Sequence, residues 1–107
     1  MEERRTARRY KLALEIKLQP ELNQFQPISG FTRDISSRGF SFGTSEMLCV
    51  GMMMWFSIML PPFEAVNTFI NGRARVVRVE DVSGIEQGIG AVIEGFSFDQ
   101  SNLLKTA

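Results

Sequence analysis

The chain has 107 residues, 44% of them hydrophobic and 22% charged, and its basic and acidic side chains cancel to a formal net charge of zero. One domain with a real core fits this length, and neutrality excludes a molecule that traps polyanions through its overall field. With no histidine, His-based acid–base catalysis, Ser-His-Asp triads and histidine metal sites are excluded within the chain.

The charge is unevenly placed. Arg4, Arg5, Arg8, Arg9 and Lys11 crowd the first segment, opposed only by Glu2 and Glu3. No apolar stretch follows them, so they do not read as a signal peptide. Residues 1–10 are expected to form a flexible arginine-rich arm ahead of a single domain over residues 11–107. Next, Leu12, Leu14, Ile16 and Leu18 alternate with Lys11, Ala13, Glu15 and Lys17, the period of a half-buried strand ended by Pro20. Residues 25–28 and 30–35 read as a second strand region bent at Pro27 or Gly30. Residues 36–39 form a turn, and Phe40-Ser41-Phe42 a short third strand.

Cys49 stands in the apolar run Met47-Leu48-Cys49-Val50 and reads as a buried, inert thiol. The stretch Met52–Leu60 is nearly continuously apolar and favours a strand buried on much of both faces, with Trp55 in the core. Periodicity alone leaves a helix open there. Met52, Met53 and Met54 read as adaptable packing, with a partner-binding patch as the alternative. Gly51, Ser57 and Pro61 keep this region from spanning a bilayer, so no membrane insertion and a cytoplasmic location are expected.

Thr68–Val79 is the longest strand candidate, with Gly72 marking a bulge or a close backbone approach. Residues 80–84 turn the chain, and Gly88–Ile93 returns as the last strand. Glu80 and Asp81 fit a solvated loop better than acid–base chemistry, and the lone Gly88-Ile89-Gly90 fits close strand packing. Ser97, with Gln100 and then Leu103-Leu104 behind it, has the spacing of a capping box and predicts a short C-terminal helix. Six strands with short connections predict an all-β fold, a six-stranded antiparallel β-barrel in which closure removes exposed edges.

Two polar segments carry chemistry. In Arg4-Arg5-Thr6-Ala7-Arg8-Arg9, guanidinium groups four residues apart offer paired donors for phosphate oxygens or a purine edge, if the arm curls around one ligand. The same residues read alone are a solvated basic tail. In Asp34-Ile35-Ser36-Ser37-Arg38-Gly39, Asp34 and Ser36 lie two apart on extended chain and project to one side. Asp can accept from the N–H groups of a guanine edge, Ser can donate or accept beside it, and Gly39 permits a positive φ and a close ligand approach. Read alone, this is an Asx or Ser turn joining two strands.

Taken together, Arg5-x-x-x-Arg9 before the first strand and Asp34-x-Ser36-x-x-Gly39 after the next resemble the PilZ domain family, bacterial receptors for cyclic di-GMP. Gly51–Leu60 ending in Pro61, Gly72–Val79 and Gly88–Ile93 are similar to its later strands. The resemblance implies a barrel whose arginines and turn grip the dinucleotide from two sides. Arg5 and Arg9 would hold phosphates and guanine edges with Arg4 assisting, Asp34 and Ser36 would read guanine, and Gly39 would shape the turn. The doubled arginines also allow an Arg4/Arg8 register; Arg5/Arg9 is preferred because Tyr10 and the strand follow directly. Arg8 and Arg38 are further candidates, and Arg78 could stack on a base or face solvent. The resemblance implies a stand-alone receptor with no catalytic residue, no metal and no cofactor, acting on a downstream protein partner. Two other readings stand beside it: a PilZ-like interaction module that binds no nucleotide, and a small barrel for single-stranded nucleic acid. The last would want exposed aromatics between basic residues, whereas the aromatics here lie mostly at core-like positions.

Overall fold

The computed structural model describes residues 8–21, 26–61, 66–81, 84 and 86–102. Six strands follow one another: β1 (Glu15–Pro20), β2 (Ile28–Ile35), β3 (Gly39–Thr44), β4 (Met53–Met59), β5 (Val66–Asp81) and β6 (Gln87–Asn102). All pairings are antiparallel and close into a barrel in the order β1-β2-β3-β6-β5-β4.

Alternation fills the interior. Ile16 and Leu18 of β1, Phe40 and Phe42 of β3, Met54, Phe56 and Ile58 of β4, Ala74 and Val76 of β5, and Ile89 and Ala91 of β6 are all buried. Phe40 packs against Phe42 and Phe56 with ring centroids 6.0 and 5.1 Å apart, within the range of favourable tilted aromatic pairs. In β4 the alternation settles the strand reading but corrects the expected burial. Only Met54, Phe56 and Ile58 face inward, while Trp55 lies on the outer face, 53% exposed. Its ring carries the Arg73 guanidinium 5.2 Å from the centroid, a cation–π contact. Arg73 is held above its ordinary pKa range first by its hydrogen bond to Glu21, against some desolvation. Cys49, expected to be buried, is exposed: it precedes the turn into β4, and its neighbour Leu48 takes the core position instead.

The alternating run that begins at Leu12 becomes ladder only from Glu15. Leu12 is largely exposed and Leu14 half-buried, because Thr32 takes over the pairing there. Its buried hydroxyl donates to the Leu12 carbonyl at 2.6 Å and accepts from the Leu14 N–H at 3.0 Å, and its own N–H donates to the Leu14 carbonyl at 2.9 Å. Just before this clip, Tyr10 exchanges two backbone hydrogen bonds of 2.9 Å with Ile35, so the end of the arginine-rich segment is tied to β2.

The bend expected at Pro27 or Gly30 falls elsewhere. β2 runs unbroken through Gly30, and its irregularity is a bulge between Thr32 and Asp34. Two further bulges interrupt the β5–β6 ladder, at Arg73/Ala74 and at Val76/Arg78. The close approach expected at Gly72 is present, since a Cβ there would overlap the Gly95 carbonyl oxygen.

The C-terminal helix is not borne out. Ser97 and Gln100, its proposed capping residues, pair with Asn71 and Thr68 within β6, which continues to Asn102. Pairing with the long partner strand overrides a local capping signal worth about 1 kcal/mol. The remainder of that helix, residues 103–107, lies outside the described residues.

These contacts set two expectations for stability. Thr32→Val keeps the side-chain shape but leaves the Leu14 N–H and the Leu12 carbonyl without their partner. A loss of about 1–3 kcal/mol is expected, read as a thermal midpoint lowered by roughly 5–15 °C in a domain of this size. Gly39→Ala places a Cβ against the Ala91 carbonyl oxygen. Forcing β3 from β6 should cost about 1–3 kcal/mol, measured by urea denaturation, with an unchanged midpoint as the contrary result.

Candidate functional site

Regular alternation would bury both Asp34 and Arg78. Thr32 and Val76 face the core, so the residues two positions later should do the same. At each place one extra residue, Arg33 in β2 and Val77 in β5, shifts the register. The shift turns Asp34 and Arg78 to the outer face, as bulges commonly do beside functional sites. The result is one row across four strands: Asp34 pairs with Ser41, Ser41 with Gly90, and Gly90 with Arg78.

The row is wired by hydrogen bonds. The Ser41 hydroxyl donates to Oδ2 of Asp34 at 3.2 Å and accepts from the Asp34 N–H at 3.2 Å. Lys11 Nζ stands 3.5 Å from the other carboxylate oxygen. At the far end, Arg78 Nε contacts Glu80 at 3.1 Å. A Cβ on Gly90 would meet Cζ, Nη1 and Nη2 of Arg78 at 2.9–3.0 Å, so the guanidinium lies face-down on the bare glycine and leaves its other face open.

Beside the row is the turn between β2 and β3. The Ser36 N–H donates to the Gly39 carbonyl at 2.9 Å, and the Ser36 hydroxyl accepts from the Arg38 N–H at 3.1 Å. Ser36 therefore holds the turn as well as facing the site. Gly39 has no positive φ; among the described glycines only Gly51 and Gly84 do. Its role here is close packing on Ala91, a correction to the expected backbone freedom.

Row and turn enclose a cleft of about 420 Å³ lined by Arg9, Asp34, Ser36, Arg38, Gly39, Ser41, Arg78 and Gly90, with apolar support from Ile35, Phe40, Val77, Ala91 and Val92. Six of the sequence candidates thus meet in one place: Arg9, Asp34, Ser36, Arg38, Gly39 and Arg78. Arg8 is exposed and does not line the cleft. Arg4 and Arg5 lie outside the described residues. Sequence reasoning passes over Lys11, Ser41 and Gly90. For Ser41 a signal exists, since Phe40-Ser41-Phe42 must put Ser41 outward when both phenyls point in. Gly90 reads as close packing, which it is, but against the guanidinium of Arg78.

Two arginines of the cleft differ in pairing from those of the outer wall. Arg33, Arg73 and Arg75 each lie within 3.4 Å of a carboxylate, on Glu86, Glu21 and Glu94. Among the described residues, Arg9 and Arg38 have no such partner. Two uncompensated guanidinium groups facing an acid–hydroxyl pair across one cleft suit an anion that also presents N–H donors. The described residues hold no cluster of His, Cys, Asp and Glu arranged for a metal ion, nor any helix long and apolar enough to cross a membrane.

The sequence profile of the PilZ domain matches residues 3–107. No curated protein sequence matches the chain. Among solved structures the barrel is similar to that of the Bacillus subtilis inhibitor of motility, MotI/DgrA, with a TM-score of 0.74 at 21% sequence identity. The likeness covers 89% of this chain and 44% of that one, so the chain spans less than half the length of that protein. A profile that takes in the arginine segment, the Asp34–Gly39 turn and all six strands of the closed barrel places this protein in the PilZ domain family, a family of cyclic di-GMP receptors.

Proposed function

We propose that this protein is a receptor for cyclic di-GMP that binds the dinucleotide in the cleft between the β2–β3 turn and the Asp34–Arg78 row. The observation that carries the proposal is the convergence of Arg9, Arg38, Arg78, Asp34 and Ser36 on one cleft. Arg9 and Arg38 supply charge and paired donors for the phosphates. The Asp34 carboxylate, aimed by Ser41 and Lys11, accepts from the N–H groups of a guanine edge. Arg78, face-down on Gly90, offers its open plane to a base.

The four-residue spacing then favours one arginine register. Arg9 lines the cleft and Arg8 does not, which supports Arg5 as the second arginine, with Arg4 beside it. Residues 1–7 would close over the ligand from the side opposite the turn. Charge-assisted hydrogen bonds offset the ordering entropy of that segment. Closure changes the surface around the cleft, and a downstream protein partner reads the change, an order–disorder switch in which the barrel itself stays rigid. A cytoplasmic location and the absence of catalysis belong to this reading.

Titration calorimetry with cyclic di-GMP tests it. Saturable binding is expected, weakening as salt screens the arginines. Arg5→Ala, Arg9→Ala and Asp34→Ala should each lower affinity by about 1–3 kcal/mol, roughly five- to hundred-fold in Kd, while Arg8→Ala stays near wild type. A folded wild type that gives neither heat nor thermal shift would exclude the receptor and leave a PilZ-like interaction module. Equal losses in Arg8→Ala and Arg9→Ala would overturn the register.

A further inference from the structure

We propose that the protein self-associates through the free edge of the second half of β6, which pairs antiparallel with the same strand of another copy about a two-fold axis at Ser97. The inference rests on the barrel alone and does not depend on the ligand reading.

β6 is 16 residues long, whereas β3, its neighbour on one side, has 6. Their ladder ends at Gly39↔Val92, followed by one last bond from the Ile93 N–H to the Arg38 carbonyl. From Glu94 to Asn102, β6 pairs among the described residues with β5 only. An unpaired edge of this length is a template for another strand. Among the described residues its protection is limited to the bulge at Glu94: the run Glu94-Gly95-Phe96-Ser97-Phe98-Asp99-Gln100-Ser101-Asn102 contains no lysine and no proline.

The side chains on this edge are those of an interface. The bulge at Arg73/Ala74 makes Glu94 the extra residue. Phe96 and Phe98 are thereby turned to the face of their partners Gly72 and Ile70, which continues inward onto Phe56 and Ile58. Past the end of β3 that face is uncovered, and Phe96 and Phe98 are 47% and 61% exposed, packed edge-to-face with centroids 5.6 Å apart.

The register of the two phenyl groups points to a second copy as the occupant. A two-fold axis perpendicular to the sheet keeps each side chain on its own face, so from Gly95 onward, past the bulge, only residues whose numbers sum to an even value can lie opposite one another. Centring on Ser97 puts Phe96 opposite Phe98 twice over and Asp99 opposite Gly95. Neighbouring centres on Phe96 or Phe98 pair one phenyl with itself and leave the other at the Glu94 bulge or opposite Gln100. With the axis at Ser97, four phenyl groups share one cluster. A strand-edge contact of this length falls below the roughly 1,200 Å² of standard interfaces, so the association is concentration-dependent.

Sedimentation velocity on the full chain over a hundred-fold concentration range, without ligand, is the first test. A reversible monomer–dimer equilibrium is expected, shifted at least ten-fold toward monomer by F96E or F98E with the circular dichroism spectrum unchanged. The second test needs no loss of folding. In a C49S background, which removes the exposed native thiol, Ser97→Cys should form an intermolecular disulfide under mild oxidation, and Ser29→Cys, exposed on β2, should not. A chain monomeric at every concentration, or a Ser97→Cys variant that crosslinks no faster than the β2 control, overturns the proposal and leaves the edge to a different protein.

Discussion

A strand in a closed barrel shows the outside only every second side chain, and Asp34 and Arg78 both stand where that rule assigns them to the core. Everything the cleft can do depends on the rule being broken twice, at Arg33 and at Val77. The bulges stand at the two ends of the row, yet both act in the same direction. One turns a carboxylate out beside Ser41, the other a guanidinium out over Gly90. Neither strand could deliver its group by regular pairing, since an inward Asp34 or Arg78 would be an uncompensated charge in a core built from Ile16, Phe42, Ile58 and Val76. An extra residue in each ladder is therefore the least disruptive route to a polar row on this scaffold.

Electrostatics then separates unpaired charges from paired ones. On the outer wall Arg73 is held by two hydrogen bonds to Glu21 and Arg75 by one to Glu94, and exposed pairs of this kind contribute little to stability. Their effect is to cancel a basic stripe that would otherwise run along β5 from Arg73 to Arg78. With that stripe neutralised, the unpaired Arg9 and Arg38 give the cleft a local positive field in a molecule of zero net charge. Asp34 sits inside that field and is screened from repelling an anion by Lys11 on one oxygen and Ser41 on the other.

How much of this is legible in the sequence follows the same physics. The barrel is, because strict alternation at Ile16 and Leu18 and the Phe40-Ser41-Phe42 triplet need no tertiary information. So are Arg9, Asp34, Ser36 and Gly39, which sit in two short segments whose spacing is itself the signal. Trp55 and Cys49 are misplaced when hydrophobicity alone assigns them to the core, while in β4 position along the pleat decides the matter. Bulges leave a fainter trace. Val76 and Val79 both reach the core although three apart, and so do Thr32 and Ile35, a spacing that a regular strand cannot satisfy. Read that way, the sequence places Arg78 firmly at the site. The helix expected at Ser97 fails for the opposite reason: a local capping pattern gives no hint that β5 is long enough to claim the same residues.

Unequal strand lengths are what joins the cleft to the free edge. A barrel abolishes edges only if neighbouring strands are matched, and β6 outruns β3 by ten residues. Where the two strands overlap, β6 supplies Gly90 and Val92 to the cleft. Beyond the overlap it carries Phe96 and Phe98 on backbone that, among the described residues, pairs with β5 alone. The bulge at Glu94 marks the boundary, and it does there what Arg33 and Val77 do at the cleft: it exchanges the faces of the strand. Without it, Ser97 would take the inward face and the two phenyl groups would lie outside. The same departure from alternation that exposes the polar row thus builds an apolar surface at the other end of a single strand.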